Sequence, residues 1–287
     1  MLTFDKTSNA GNSTLIATGG SNGGAGGSIH FEGGSKGGSA RIELFGNASL
    51  DITAHNGTAL TIGSLEGDGA VALGQKQLSV GANNLSTTFS GVLAGAGSVT
   101  IVGTGTLTWT GANTYTGGTT MSGGVIRANN EAGSATGTGS VNVNSGTLGG
   151  KGIIAGVATV GTGSGAGAFL QPSVGSKQPL TLSLSNSLTC KADSTYTCQL
   201  NTQKRTADEV IAQGVTIATG AQFALQAVGN KKLPGGTVFT ILSNTSATPI
   251  SGTFANLPDG STLTAGRNKL NVSYTGGDGN NLTLTVQ

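Results

Sequence analysis

Charged and aromatic side chains are scarce in this chain of 287 residues, since only 9% of its residues are charged and 4% are aromatic. Its 14 basic and 12 acidic residues leave a net charge of +2, and the basic ones are scattered along the sequence. Proteins that bind nucleic acids cluster basic residues on one face, with aromatic side chains between them. The composition therefore argues against a nucleic-acid partner. It also argues against disorder, because 36% of the residues are apolar and the net charge is small.

Long apolar runs are missing as well. No stretch has the roughly 18 apolar residues that a membrane-spanning helix needs, so we expect no transmembrane segment. Residues 1–6 also lack the basic segment and the following apolar stretch of a secretion signal. We interpret the sequence either as a chain without its leader and anchor or as an internal piece of a longer chain.

Glycine, serine, threonine and asparagine fill about half of the sequence, with 52, 28, 41 and 21 residues respectively. All four are poor helix formers, and the glycines follow no three-residue period of the collagen type. Apolar and polar residues alternate with period two in several short segments, for example residues 98–102, 106–110, 141–143, 181–184, 237–242 and 282–286. This pattern predicts an all-β protein of many short strands. Even the best helical candidate, residues 206–213, is so short that we interpret it as the start of a strand or one turn.

Weak internal repetition indicates how these strands are arranged. The sequence Gly-Ala-Asn occurs at residues 81–83 and 111–113, each time before a Thr-rich strand and a Gly-rich turn. Such spacing favours a parallel β-solenoid of about 25 residues per coil, in which inward-facing apolar side chains stack at about 4.8 Å. We predict solenoid coils over residues 1–175. Over residues 176–287 the strands lengthen and most prolines occur, which predicts a β-rich C-terminal continuation or closing module that covers the open end.

Residues 103–130 carry a family resemblance. They read GTGTLTWTGANTYTGGTTMSGGVIRANN. This segment resembles the autotransporter-associated β-strand repeat, with Trp109 where Leu is usual and Val125–Ile126 where Thr–Leu is usual. Residues 252–260 and 272–284 are similar to the C-terminal region of the same large, repetitive bacterial surface proteins.

The resemblance implies a fold and a location. The fold is a right-handed parallel β-helix, and the location is the bacterial cell surface or the extracellular space. Within the repeat we expect Asn113 and Tyr115 to shape a corner. We expect Gly117 and Gly118, and likewise Gly123 and Gly124, to form turns between stacked strands.

Residues that could act in catalysis or bind a metal ion form no recognisable motif. His30 and His55 have no partner at metal-ligand spacing, and we expect both at solvated strand positions. The acid pairs Glu66/Asp68 and Asp208/Glu209 do not recur at coil spacing, as acids on the faces of polysaccharide-cleaving β-helices would. Residues 276–284 match a calcium-binding nonapeptide only once, so we interpret them as a turn. We predict no catalytic residue, no cofactor and no bound metal.

Cys190 and Cys198 leave two alternatives open. A turn centred at Ser194 would place them opposite each other, within reach of a disulfide that suits an oxidising exterior. If their strands instead stack as successive solenoid faces, the thiols are small fillers of the core.

These observations predict a non-enzymatic, exported bacterial surface protein, an adhesin-like passenger or stalk. Its partners would be glycans or proteins of a host or a neighbouring cell. The alternative is an extracellular structural subunit that self-associates into a filament by end-to-end stacking of solenoids. A polysaccharide-active β-helix enzyme is the third hypothesis. We interpret Trp109 and Tyr115 as residues of the repeat core rather than as binding residues.

Overall fold

The computed structural model describes residues 1–165 and 167–287, and in these ranges it contains strands but no helix. The predicted all-β class is confirmed. The described residues accordingly include no helix that is long and apolar enough to cross a membrane. The chain divides into two compact units, residues 1–141 with 152–156 and residues 142–151 with 157–287. Residue 175, where the sequence predicts a change of pattern, lies inside the second unit.

The strands are short and follow one another closely. The first fourteen are β1 (Leu2–Phe4), β2 (Thr14–Ala17), β3 (Ser28–Phe31), β4 (Arg41–Leu44), β5 (Ser49–Asp51), β6 (Ala59–Ile62), β7 (Ser64–Gly67), β8 (Ala70–Gly74), β9 (Gln77–Val80), β10 (Thr87–Phe89), β11 (Val92–Gly95), β12 (Ser98–Ile101), β13 (Thr106–Trp109) and β14 (Thr119–Ala128). They are followed by β15 (Val141–Gly150), β16 (Ile153–Ile154), β17 (Ala158–Val160), β18 (Ala168–Leu170), β19 (Thr181–Leu184), β20 (Leu188–Cys190), β21 (Ser194–Asn201), β22 (Thr206–Ala207), β23 (Glu209–Ala212), β24 (Val215–Ile217), β25 (Gln222–Val228), β26 (Val238–Asn244), β27 (Thr262–Ala265), β28 (Asn268–Gly276) and β29 (Asn281–Val286).

Three parallel ladders build the first unit. Ladder A contains β1, β3, β5, β8 and β11. Ladder B contains β2, β4, β7, β10, β13 and the second half of β14, and ladder C contains β6, β9, β12 and the first half of β14. From β5 to β13, consecutive strands join ladders A, C and B in rotation. Strand partners there lie about twenty residues apart in the sequence, as Val99 and Thr119 do.

The inward side of each ladder is a column of apolar side chains. In ladder A, Ile29, Leu50, Val71 and Leu93 are register partners, and none is more than 1% exposed. Burying a side chain of this kind contributes about 1.5–3 kcal/mol to stability. The period-two alternation of the sequence therefore reports which side of each ladder faces the core.

Glycines stack at the corner between ladders B and A, where Gly69, Gly91 and Gly111 occupy corresponding positions. A Cβ atom on Gly111 would collide with the carbonyl oxygen of Gly91, and one on Gly91 would collide with that of Gly69. Gly91 and Gly111 do not have a left-handed φ. Glycine is needed at these positions because the backbones approach closely, and not because of the turn itself.

The second unit repeats this arrangement with longer intervals. Ladder D contains β15, β18, β21 and β25, ladder E contains β17, β20 and β24, and ladder F contains β19, β23 and β26, all parallel. Within residues 206–213, residues 206–207 form β22 and residues 209–212 form β23, so the first of the two interpretations, the start of a strand, is confirmed. Beyond β26 the pairing becomes antiparallel, through β29, β28 and β27. Tyr196, Phe223 and Phe254 pack together in this unit, with ring centroids 5.7 to 6.1 Å apart.

Substitution of Gly111 by alanine tests whether the close approach of backbones limits this fold. We expect Gly111→Ala to lower the free energy of unfolding by about 1–3 kcal/mol, because the new methyl group overpacks the corner. Gly235→Ala is the matched control, since its Cβ would meet only ordinary contacts at 3.6 Å. Trp109, the single tryptophan, lies in the first unit, so its fluorescence follows the urea unfolding of the unit that contains Gly111. Circular dichroism follows the urea unfolding of both variants. Equal losses in the free energy of unfolding for the two variants would contradict the explanation.

Candidate functional site

The repeat motif places one asparagine in a buried position between neighbouring segments of the first unit. Asn113 is 3% exposed, and its backbone N–H donates to the carbonyl oxygen of Ser134 at 2.8 Å. Its Oδ1 accepts a hydrogen bond from the N–H of Leu93 at 2.8 Å, and its Nδ2 donates to the carbonyl oxygen of Ala135 at 2.6 Å. A single side chain therefore joins the segment before the motif to the segment after it.

Tyr115 is the second polar anchor of the motif. It is fully buried, and its hydroxyl group donates to Oγ1 of Thr119 at 2.5 Å, which in turn donates to the carbonyl oxygen of Thr136 at 3.2 Å. Burial raises the pKa of the Tyr115 phenol, so the group stays a hydrogen-bond donor. Asn113 and Tyr115 both lie between β13 and β14, in the part of the chain where a corner is expected.

The four motif glycines have two different settings. Gly117 and Gly118 lie between strands, and Gly118 has a left-handed φ of 85°. Gly123 and Gly124 lie inside β14, where this strand leaves ladder C and joins ladder B. The expected turn between two strands is therefore, at this position, a corner within one continuous strand. The left-handed φ of Gly124, 63°, allows the bend without breaking the ladders.

Trp109 belongs to the core and not to an accessible surface. It is 1% exposed and shares a column of ladder B with Phe89 and Ala128. Together with the full burial of Tyr115, this confirms the interpretation of both aromatic residues as packing residues.

The two cysteines are free and buried, so the disulfide alternative does not describe the structure. The turn centred at Ser194 is wrong, because Ser194 begins β21, and β21 and β20 join different ladders. Cys190 instead stacks between Val160 and Ile217. Burial raises the pKa of the Cys190 thiol to about 12 and raises that of Cys198 as well. The alternative in which the thiols fill the core describes both residues.

Asp208 accepts hydrogen bonds from three segments of the second unit, a role that the sequence analysis did not predict. Its side chain is fully buried. Oδ1 accepts a hydrogen bond from the N–H of Leu180 at 2.7 Å, while Oδ2 accepts from the N–H of Gln199 at 2.9 Å and from the hydroxyl group of Ser173 at 2.7 Å. Burial raises the pKa of the Asp208 carboxyl group, and these hydrogen bonds act in the opposite direction. The sequence feature that could have indicated this burial is the period-two alternation of β23. Extended by one residue towards the N-terminus, it puts residue 208 on the same inward side as Val210.

Two of the other acids named as pairs, Glu66 and Asp68, contact a basic group or a backbone N–H group. Glu66 contacts the guanidinium group of Arg41, and Asp68 accepts a hydrogen bond from the N–H of Gly46 at 2.7 Å. Glu209 is half-buried, and burial raises its pKa.

Asp193 holds a loop of the second unit through its carboxylate. It accepts hydrogen bonds from the N–H groups of Thr162, Gly163 and Gly165. Burial alone would raise the pKa of Asp193, but these hydrogen bonds lower it to about 2. The loop contacts therefore add stability above the unfolded pKa of about 4, and this contribution disappears as the pH falls towards 2.

The two histidines differ in their surroundings. His30 lies in β3, partly exposed as expected, with Nδ1 3.8 Å from the carboxylate of Glu32. The expectation of a solvated strand position is wrong for His55, which is 6% exposed and lies between β5 and β6. Its Nε2 is 2.8 Å from the carbonyl oxygen of Ser35, and its Nδ1 is 3.3 Å from that of Gly57. The wide spacing of the histidines gave no sign that the fold buries one of them against a glycine-rich segment.

Metal ligands are not gathered anywhere in the described part of the chain. Within residues 1–165 and 167–287, no three His, Cys, Asp or Glu side chains lie close enough to hold one ion. The single calcium-like nonapeptide forms the connection between the antiparallel strands β28 and β29, which confirms its interpretation as a turn.

The comparisons with known proteins identify no relative. No model of a protein family matches the chain, and no curated protein matches its sequence. The resemblance of residues 103–130 therefore rests on the sequence motif alone.

Substitution of Asn113 tests the link between neighbouring segments. We expect Asn113→Ala to lower the free energy of unfolding by about 2–4 kcal/mol, because the N–H of Leu93 and the carbonyl oxygen of Ala135 lose a buried partner. Asn12→Ala is the control, since Asn12 is exposed in the same unit. Urea unfolding followed by Trp109 fluorescence measures both. A loss for Asn113→Ala no larger than for the control would show that the bridge is dispensable.

A second pair of variants tests Asp208. We expect Asp208→Ala to lower the free energy of unfolding by about 3 kcal/mol or more, because it leaves the N–H groups of Leu180 and Gln199 and the hydroxyl group of Ser173 without this acceptor. Ser173→Ala removes only one donor and should cost about 1 kcal/mol. Urea unfolding followed by circular dichroism compares the two variants. The explanation fails if Ser173→Ala is as damaging as Asp208→Ala.

Proposed function

We propose that this chain is a right-handed parallel β-helix and serves as a non-enzymatic, exported bacterial surface protein, an adhesin-like passenger or stalk. The observation that carries the proposal is the rotation of consecutive strands through ladders A, C and B at intervals of about twenty residues. A chain that returns to the same three ladders in this order winds around one axis. Crossovers between parallel strands are right-handed in the great majority of proteins, which supports that hand.

The position of the repeat motif supports the same proposal. Residues 103–130 extend from the corner before β13 to just beyond the end of β14. Their most distinctive residue, Asn113, makes contacts with the preceding and the following segment. Such contacts suit a unit that is repeated along a coil axis. The resemblance to the autotransporter-associated repeat gives this architecture its proposed location, the bacterial surface.

The way the chain is stabilised suits an exposed setting. Apolar columns and backbone ladders form its interior, and acids such as Asp68, Asp193 and Asp208 mainly accept hydrogen bonds from neighbouring groups. The buried interactions, those of the apolar columns and of Asp208, are screened by salt far less than exposed ion pairs are. Because Asp68, Asp193 and Asp208 each hold a neighbouring backbone segment, these three acids support a structural rather than a catalytic role.

A filament subunit is the second candidate, because parallel ladders can be extended by strands of another copy. Strands β1 and β2 carry exposed apolar side chains, with Leu2 44% and Ile16 59% exposed. Exposed apolar side chains favour association with another copy.

Surface proteolysis of intact cells tests the proposed location. In the organism that produces the protein, antibodies raised against this chain should detect it before, and not after, treatment of intact cells with protease. A cytoplasmic protein of the same cells should survive the treatment. Detection of the intact chain after proteolysis that removes a known surface protein would overturn the proposal.

Electron microscopy of the purified chain separates the two candidates. Monodisperse rods at micromolar concentration agree with a passenger or stalk. Regular fibres that grow with concentration would instead favour the filament subunit.

A further inference from the structure

A cavity of about 450 Å³ in the first unit carries an inference of its own. Residues 34–38, which lie between β3 and β4, form one part of its wall, and residues 55–61, which lead into β6, form another, while Asn9 completes it. Its volume falls within the range of about 300–1,000 Å³ that is typical of small-molecule sites.

The wall of the cavity is built tightly. A Cβ atom on Gly37 would collide with the carbonyl oxygen of Thr61, so the glycine-rich segment lies directly against β6. The imidazole ring of His55 connects the two parts of the wall. Its Nε2 contacts the carbonyl oxygen of Ser35, and its Nδ1 contacts the carbonyl oxygen of Gly57. The N–H of Asn56 also donates to the carbonyl oxygen of Gly33 at 2.7 Å. The cavity therefore exists before any ligand arrives, which lowers the entropic cost of binding.

One polar group in this wall lacks a partner. Ser35 is 2% exposed, and its hydroxyl group makes no hydrogen bond within the described structure. Buried hydroxyl groups are nearly always hydrogen-bonded, so an unpartnered one needs an explanation. Because Ser35 lines the cavity, a ligand hydroxyl group bound there would supply the missing partner.

The charges of the lining indicate the class of ligand. Lys36 is exposed, and none of the ion pairs among the described residues involves it. No acidic side chain is among the described residues that line the cavity, and Ala59, which is exposed, contributes an apolar methyl group. Lys36 suits a carboxylate, the Asn9 amide and the Ser35 hydroxyl suit sugar hydroxyl groups, and the Ala59 methyl group suits the C–H face of a sugar ring.

We propose that this cavity binds one acidic sugar residue, of the hexuronic acid type, of a surface glycan. The inference rests on the proposed surface function only for where such a glycan would be met. Binding by the purified protein and exposure on cells are separate measurements, so the failure of one can be distinguished from the failure of the other.

The test is a titration of the full-length chain, observed by amide NMR shifts, with methyl α-D-glucuronoside as the probe. We expect saturable shifts confined to residues 34–38 and 55–61 and a dissociation constant in the millimolar range. Methyl α-D-glucoside, the matched neutral sugar, should bind several-fold more weakly. Absence of saturable shifts at these amides, or equal binding of the two sugars, would overturn the proposal.

Four variants assign the binding to named groups. Lys36→Met should weaken glucuronoside binding about threefold to fivefold, the effect of one exposed ion pair, and leave glucoside binding unchanged. Ser35→Ala should weaken both sugars about fivefold. Ala59→Trp should fill the cavity and abolish binding. Thr136→Val is the control, because Thr136 has an equally buried and unpartnered hydroxyl group that does not line the cavity.

Melting curves of the variants check that each one is folded. Unchanged affinities in folded Ser35→Ala and Lys36→Met, or binding that survives Ala59→Trp, would contradict the assignment. A loss of affinity in Thr136→Val equal to that in Ser35→Ala would contradict it as well.

Discussion

The close stacking of parallel backbones is the constraint on which the rest of this structure depends. Neighbouring strands of a sheet lie about 4.8 Å apart, and the backbones of this chain also approach each other closely at corners. At such a distance there is no room for a Cβ atom between two corners, as the stack of Gly69, Gly91 and Gly111 illustrates. Packing therefore accounts for one part of the glycine content, and left-handed φ angles such as those of Gly118 and Gly124 account for another. The same spacing brings like side chains into columns, which is why a chain with few aromatic residues still has a continuous apolar core.

Corners also create a hydrogen-bonding problem, since backbone groups leave the ladders there. Buried polar side chains solve it by replacing a missing backbone partner. Asn113 does so with its Oδ1, which accepts one hydrogen bond, and its Nδ2, which donates one. Asp208 does so with its two carboxylate oxygens, which accept hydrogen bonds from several groups. An unpaired backbone group in the interior costs more than one hydrogen bond normally contributes. These side chains are thus as necessary to the fold as the apolar columns, although they are few.

The sequence predicted the strands well because period-two alternation is a local property. Residues 106–109 and 181–184 are strands as expected, and residues 206–213 are strands rather than a helix. It could not predict which segments pair, because that choice depends on contacts between residues about twenty positions apart. The placement of Cys190 and Cys198 on different ladders, and of Gly123 inside β14, follows from those contacts. The burial of His55 is of the same kind, since it results from a loop that folds back over a neighbouring segment.

The regularity of the ladders also explains where a binding site can form. Between β8 and β13, consecutive strands visit ladders A, C and B in turn, and partners lie close to twenty residues apart. The first strands depart from this pattern, because ladder C begins only at β6. The chain therefore passes from β3 in ladder A to β4 in ladder B through residues 32–40, which form no strand of ladder C. Backbone that is free of the ladders can enclose a cavity and leave a hydroxyl group without a partner, as it does at Ser35. The repeated ladders stabilise the fold, and the cavity forms where the repetition of the ladders is incomplete.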